Sequence, residues 1–164
     1  MKLEQLVETR AMSPAFTAGG KIPRRHAWRG EGQNVSPPLA WPAPPEGTVE
    51  QVLICDDPDA PRGEWVHWLL YGLGPEVTAL EEGLPATTTL DRPLGARQGL
   101  NSWGDPGWGG PFPPRGHGVH RYRFRIWARD RRLELPPGAG RAQVERAMRG
   151  RVLGQAELVG TYER

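Results

Sequence analysis

Two short runs of this chain hold residue types that can do chemistry. Asp57-Pro58-Asp59-Ala60-Pro61 is followed closely by Trp65 and His67, and Gly109-Gly110-Pro111-Phe112-Pro113-Pro114 by His120-Arg121-Tyr122. Together they supply two carboxylates, two imidazoles and a phenol. Proline fixes φ and glycine lets backbone approach closely, so polar groups beside them are held still. A small preformed pocket needs such rigidity. If Asp57, His67, His120 and Tyr122 converge, the carboxylate favours the protonated form of a nearby imidazole. A histidinium, the Tyr122 hydroxyl and N–H groups of the glycine-rich loop would then receive a phosphate or carboxylate oxygen. Such binding strengthens as pH falls through the histidine range. Asp57 would orient a ring and repel multiply charged anions.

Each residue also has a plainer reading. A single Asp or His at such a place commonly caps a turn or sits satisfied in a core. Asp59 is explained by an Asx turn as well as by ligand contact. Trp65 and Trp68 read as core, with Trp65 also able to wall the pocket. Trp103 and Trp108, in the loop, read as contacts for an apolar ligand or partner. His26 and His117 have no companions in sequence and read as surface residues. Cys55, inside Val52-Leu53-Ile54-Cys55, reads as a buried thiol. A metal-assisted or acid–base hydrolase using Asp57, His67 and His120 is the alternative from another class. It lacks a diagnostic spacing: there is no His-x-x-x-His or Cys-x-x-Cys pair, no Gly-x-Ser-x-Gly elbow and no phosphate-loop fingerprint. No catalytic residue, metal or cofactor is assigned.

The elements that must position these groups are short. Ser13-Pro14, Gly19-Gly20, Ile22-Pro23, Pro37-Pro38 and Pro44-Pro45 exclude long helices from about the first forty residues. Val49 to Cys55 and Trp65 to Tyr71 read as strands buried on both faces. The two-residue period puts His67 on one face with Trp65, Leu69 and Tyr71. Gln98 to Gly118, with seven Gly and four Pro, is a long irregular stretch of the functional kind. His120 to Ala128 alternates, with His120, Tyr122, Phe124 and Ile126 facing one way and Arg121, Arg123 and Arg125 the other. The arginines read as a solvated face, in preference to a nucleic-acid stripe. One helix is expected over Arg141 to Arg149, stopped by Gly150, and a closing strand over Glu157 to Tyr162.

The 164 residues read as one domain, 1–164. Gly and Pro number 22 and 18, about a quarter of the chain, yet seven Trp and dense apolar runs argue for a folded, turn-rich, mainly β protein. A net charge of +2 does not demand nucleic acid. One cysteine fits a reducing compartment, and no stretch approaches the roughly 18 apolar residues of a membrane span. The expectation is a soluble, cytoplasmic protein.

The same motifs resemble the phosphatidylethanolamine-binding protein family, nearest its bacterial, Raf-kinase-inhibitor-like branch. Asn34-Val35-Ser36-Pro37-Pro38-Leu39-Ala40-Trp41, Glu82-Gly83, Asn101 and Leu158-Val159-Gly160-Thr161-Tyr162 follow in family order, so the resemblance spans nearly the whole chain. It implies a mainly β fold of two antiparallel sheets, Greek-key in type, with a few short peripheral helices and a small anion pocket. Asp57, His67, His120 and Tyr122 would be direct pocket residues. Asp59 and Pro61 would shape one wall, and Gly110 with Pro113 and Pro114 the other. It also implies a phosphate- or carboxylate-bearing ligand, a kinase or protease as protein partner, and a homodimer. Three departures stand out. Only Arg62-Gly63-Glu64 separates Pro61 from Trp65, Phe112 stands where bacterial members commonly have Cys, and Trp103 and Trp108 replace smaller aromatics. A narrower, more apolar mouth follows.

Overall fold

The computed structural model describes residues 6–164. Its strands are β1 (Val7–Arg10), β2 (Leu39–Ala40), β3 (Glu50–Asp57), β4 (Trp65–Leu73), β5 (Ala79–Leu80), β6 (Arg97–Gln98), β7 (His120–Arg129) and β8 (Val152–Tyr162). The helix α1 is Arg141–Ala147, and a single 3-10 turn covers Arg24–His26. Six strands form one sheet in the order β1-β8-β7-β3-β4-β6, while β2 and β5 pair separately. Neighbours are antiparallel except β1 and β8, which run parallel.

β3 is buried along its whole length, as its unbroken apolar run requires at the centre of a sheet covered on both faces. One face packs Cys55, Trp68, Leu70, Tyr122, Phe124 and Ile126 against the turn-rich N-terminal half, through Phe16, Ile22, Leu39 and Trp41. The other packs Val52, Ile54, Val66, Leu69 and Tyr71 against Leu133, Leu135 and Val144 of α1. Each large apolar side chain buried in these layers contributes roughly 1.5–3 kcal/mol. The expected elements lie where the pattern put them, with differences in length: β8 begins at Val152 and α1 ends at Ala147.

One departure matters for function. Cys55 faces Trp68, but Asp56 faces Val66, so His67 is an extra residue in β4 without a partner on β3. This bulge breaks the two-residue period. Strict alternation would put His67 with Leu69 and Tyr71. Instead it lies on the face of Trp68 and Leu70, with its ring 5.0 Å from that of Tyr122.

The arginines of β7 are committed to ion pairs. Arg123 and Arg125 both bind Asp56, which is 2% exposed, at 2.9 and 3.0 Å. Arg121 grips Asp59 through Nε, Nη2 and its backbone N–H. That leaves no free cationic stripe for nucleic acid among these three residues.

Candidate functional site

Three strand ends and one loop meet at a single end of the large sheet. Asp57 closes β3, His120 opens β7 with Tyr122 two residues on, and the bulge in β4 turns His67 toward them. Around them lies a cavity of about 590 Å³, lined also by Pro61, Trp65, Trp103, Phe112, Pro113 and Pro114. The two motifs do converge.

Asp57 uses both oxygens. Oδ1 accepts the Asp59 N–H at 2.7 Å, so the Asx turn belongs to Asp57, and Oδ2 accepts from His120 Nδ1 at 2.6 Å. His120 is therefore held as the Nδ1–H tautomer, with Nε2 as its second hydrogen-bonding atom. His67 is also fixed: Nδ1 donates to the Gly109 carbonyl at 2.6 Å, and Gly109 N–H returns a bond to the His67 carbonyl at 2.9 Å. Burial pushes the His67 imidazole down to about 4. It is neutral near pH 7, and Nε2 offers a lone pair and no proton. The Tyr122 hydroxyl is buried with no hydrogen-bond partner. Burial, reinforced by the Asp57 charge, raises its pKa far above the ordinary phenol range. It stays protonated as a donor without an acceptor, and an orphaned buried hydroxyl needs an explanation.

The glycine-rich loop is tied to the N-terminal half. Trp108 Nε1 donates to the His26 carbonyl at 2.9 Å, Gly110 N–H to Asn34 Oδ1 at 2.7 Å, and Trp28 N–H to the Pro111 carbonyl at 3.0 Å. The N–H groups of Gly109 and Gly110 are thereby taken and do not offer the anion nest expected from sequence. Gly110 stands behind the cavity wall, where it lies against the backbone of His26 and Ala27. Asp59 lies beside the cavity, and its pKa is lowered to about 2, chiefly by the hydrogen bond from Arg121.

The mouth is aromatic. Trp103 stacks on Trp28 at 4.0 Å and meets Trp65 edge-on at 5.3 Å. Phe112 is exposed and covered on one face by the Arg164 guanidinium at 3.8 Å. Trp108 departs from expectation: it is buried against Trp68 and Phe124. Trp65 lines the cavity and is not core, whereas Trp68 is fully buried, with Nε1 bonded to Gln98.

Of the two remaining histidines, His26 departs from the surface reading, and His117 keeps it but gains a partner. His26 is wholly buried, with Nδ1 donating to the Val35 carbonyl at 2.8 Å. His117 is exposed, but its Nδ1 lies 2.6 Å from His120 Nε2. The signal for it was a third imidazole three residues before His120, in Gly116-His117-Gly118. Among the described residues, no group of three or more His, Cys, Asp or Glu could hold a metal.

The family model described as phosphatidylethanolamine-binding protein matches residues 12–163. This chain belongs to the phosphatidylethanolamine-binding protein family. A UPF0098 protein of Methanothermobacter thermautotrophicus is 47% identical over 92% of this chain and 95% of its own length. Among solved structures, Escherichia coli YbcL, described as a new member of the mammalian PEBP family, shares 32% identity. It superimposes with a TM-score of 0.84, covering 94% of this chain and 98% of its own. A family homologue of Chlamydia trachomatis shares 37% identity with a TM-score of 0.81, over 94% and 97% of the two chains. The mainly β architecture is thus the phosphatidylethanolamine-binding protein fold, and among the described residues no helix is long and apolar enough to cross a membrane.

Proposed function

We propose that the cavity binds a small anion, a phosphate or carboxylate that is the head of a larger ligand. The observation that carries this reading is the buried Tyr122 hydroxyl, left without a hydrogen-bond partner in a residue that lines the cavity together with His67. A hydroxyl donor beside an imidazole acceptor suits a group carrying both an anionic oxygen and an O–H. A singly charged phosphate monoester is such a group. Asp57, whose charge remains in the wall, disfavours the dianion, so affinity for phosphate rises as pH falls from 8 to 6, through the second ionisation of the phosphate at about pH 6. Pro61, Pro114 and the Trp65–Phe112 rim then hold the rest of the ligand, with Asp59 and Gly110 supporting the wall. As a family-level extension, occupancy would tune a kinase or protease partner meeting that rim, in a cytoplasmic homodimer.

The test is calorimetric titration of inorganic phosphate and phosphoethanolamine into wild type and Tyr122→Phe, with metal assayed on the same protein. A hydrogen bond to a charged oxygen is worth roughly 1.5–3 kcal/mol, so Tyr122→Phe weakens binding by at least about tenfold. Equal affinity in the two proteins would remove Tyr122 from the site. No binding, with one tight metal per chain, would favour the hydrolytic reading.

A further inference from the structure

His120 has no ring nitrogen left for a ligand. Nδ1 donates to Asp57 at 2.6 Å, and Nε2 lies 2.6 Å from His117 Nδ1. At that separation a single proton lies between the two imidazoles. With His120 holding its proton on Nδ1, the shared proton comes from His117. The position that an anion oxygen would take on His120 Nε2 is filled by a side chain of the protein itself.

We propose that His117 is an intramolecular competitor for the anion site, and that the ligand reaches His120 only when the His117 ring swings out. This rests on the anion-binding reading above and adds the residue that sets its affinity. Two features fit a ring that moves. His117 is exposed, and it stands between Gly116 and Gly118, whose φ values of +75° and +95° suit glycine and whose Cα atoms face open space. By contrast Asp57, His67, His120 and Tyr122 are all buried. The mobile partner is on the solvent side and the rigid ones line the wall.

The groups facing the imidazole pair are the Asp57 carboxylate at the end of β3, the Asp59–Arg121 ion pair, Tyr122 on β7 and His67 on β4. With His120 held as the Nδ1–H tautomer, the nitrogen that His117 vacates carries a lone pair and accepts from a protonated phosphate oxygen. Apparent affinity is reduced by the fraction of molecules in which His117 occupies that nitrogen.

The experiment is titration of inorganic phosphate into wild type, His117→Ala and His117→Phe at pH 7.5. Removing the competitor tightens binding at pH 7.5 by about fivefold, the size of one net hydrogen bond. His117→Phe keeps the bulk of the ring without its nitrogen and follows His117→Ala. Unchanged or weaker binding in both variants, with wild type still binding phosphate, would overturn the competitor while sparing the anion site. No binding by any of the three would overturn both. The contact is also read without ligand: the ring ¹⁵N shifts of His120 change in His117→Phe, and unmoved shifts would contradict it.

Discussion

Lowering the pH from 6.5 to 4 destabilises the fold by about 3 kcal/mol through His67 alone. The folded protein holds this imidazole down to about 4 because it is buried, whereas the unfolded chain titrates it near 6.5. Above pH 6.5 both states are neutral and the stability is complete. Below it the unfolded chain takes up a proton that the folded chain refuses, so stability falls as pH falls until about pH 4. His26 acts in the same direction, since burial is the main cause lowering its pKa and its Nε2 has no hydrogen-bond partner. Urea melts at pH 7, 5.5 and 4.5 check this. Wild type should lose stability at each step, and His67→Asn, which keeps a donor for the Gly109 carbonyl without the titration, should follow a shallower profile. A flat wild-type profile would mean that the folded protein protonates His67 as readily as the unfolded chain does, and the neutral acceptor would be lost below about pH 6.5.

Gly110→Ala costs about 3 kcal/mol or more. A Cβ at this position would sit 1.9 Å from the His26 carbonyl oxygen and under 3 Å from Ala27 backbone atoms. Core overpacking against side chains costs about 1–3 kcal/mol because rotamers yield. Here the obstacle is backbone, and it belongs to a segment pinned through Trp108, Asn34 and Trp28. The loop must shift, carrying Phe112, Pro113 and Pro114 away from the cavity. Thermal or urea unfolding measures the loss, and phosphate titration should show weakened binding in the remaining folded protein. A cost under about 1 kcal/mol would show that the loop is not held as rigidly as these bonds require.

Much of the site was legible because proline, glycine and ionisable residues cluster where strands end. Asp57, His120 and Tyr122 lie on one face because β7 alternates and Asp57 follows Cys55 by two residues on β3. His67 was singled out from sequence but given the wrong neighbours, since a bulge leaves no mark in a run as densely apolar as Val66-His67-Trp68-Leu69-Leu70. The arginine stripe was legible as alternation but not as ion pairing, because Asp56 stands 67 residues before Arg123. His117 does lie at the surface, but its partner was missed for a related reason. Its partner is three residues away, but only the exit of the chain from the Pro113-Pro114 turn brings the two rings together. Trp108 looked like its loop neighbour Trp103, and only the bond from its indole N–H to the His26 carbonyl sends it into the core.

The most direct test of the anion site is a ¹H–¹⁵N NMR titration of the protein with inorganic phosphate at pH 6, reading side-chain and backbone signals together. The account predicts saturable shifts centred on Asp57, His67, His120 and Tyr122, with His117 changing as its ring leaves His120. Shifts confined to surface arginines, or no saturable shifts at all, would contradict it.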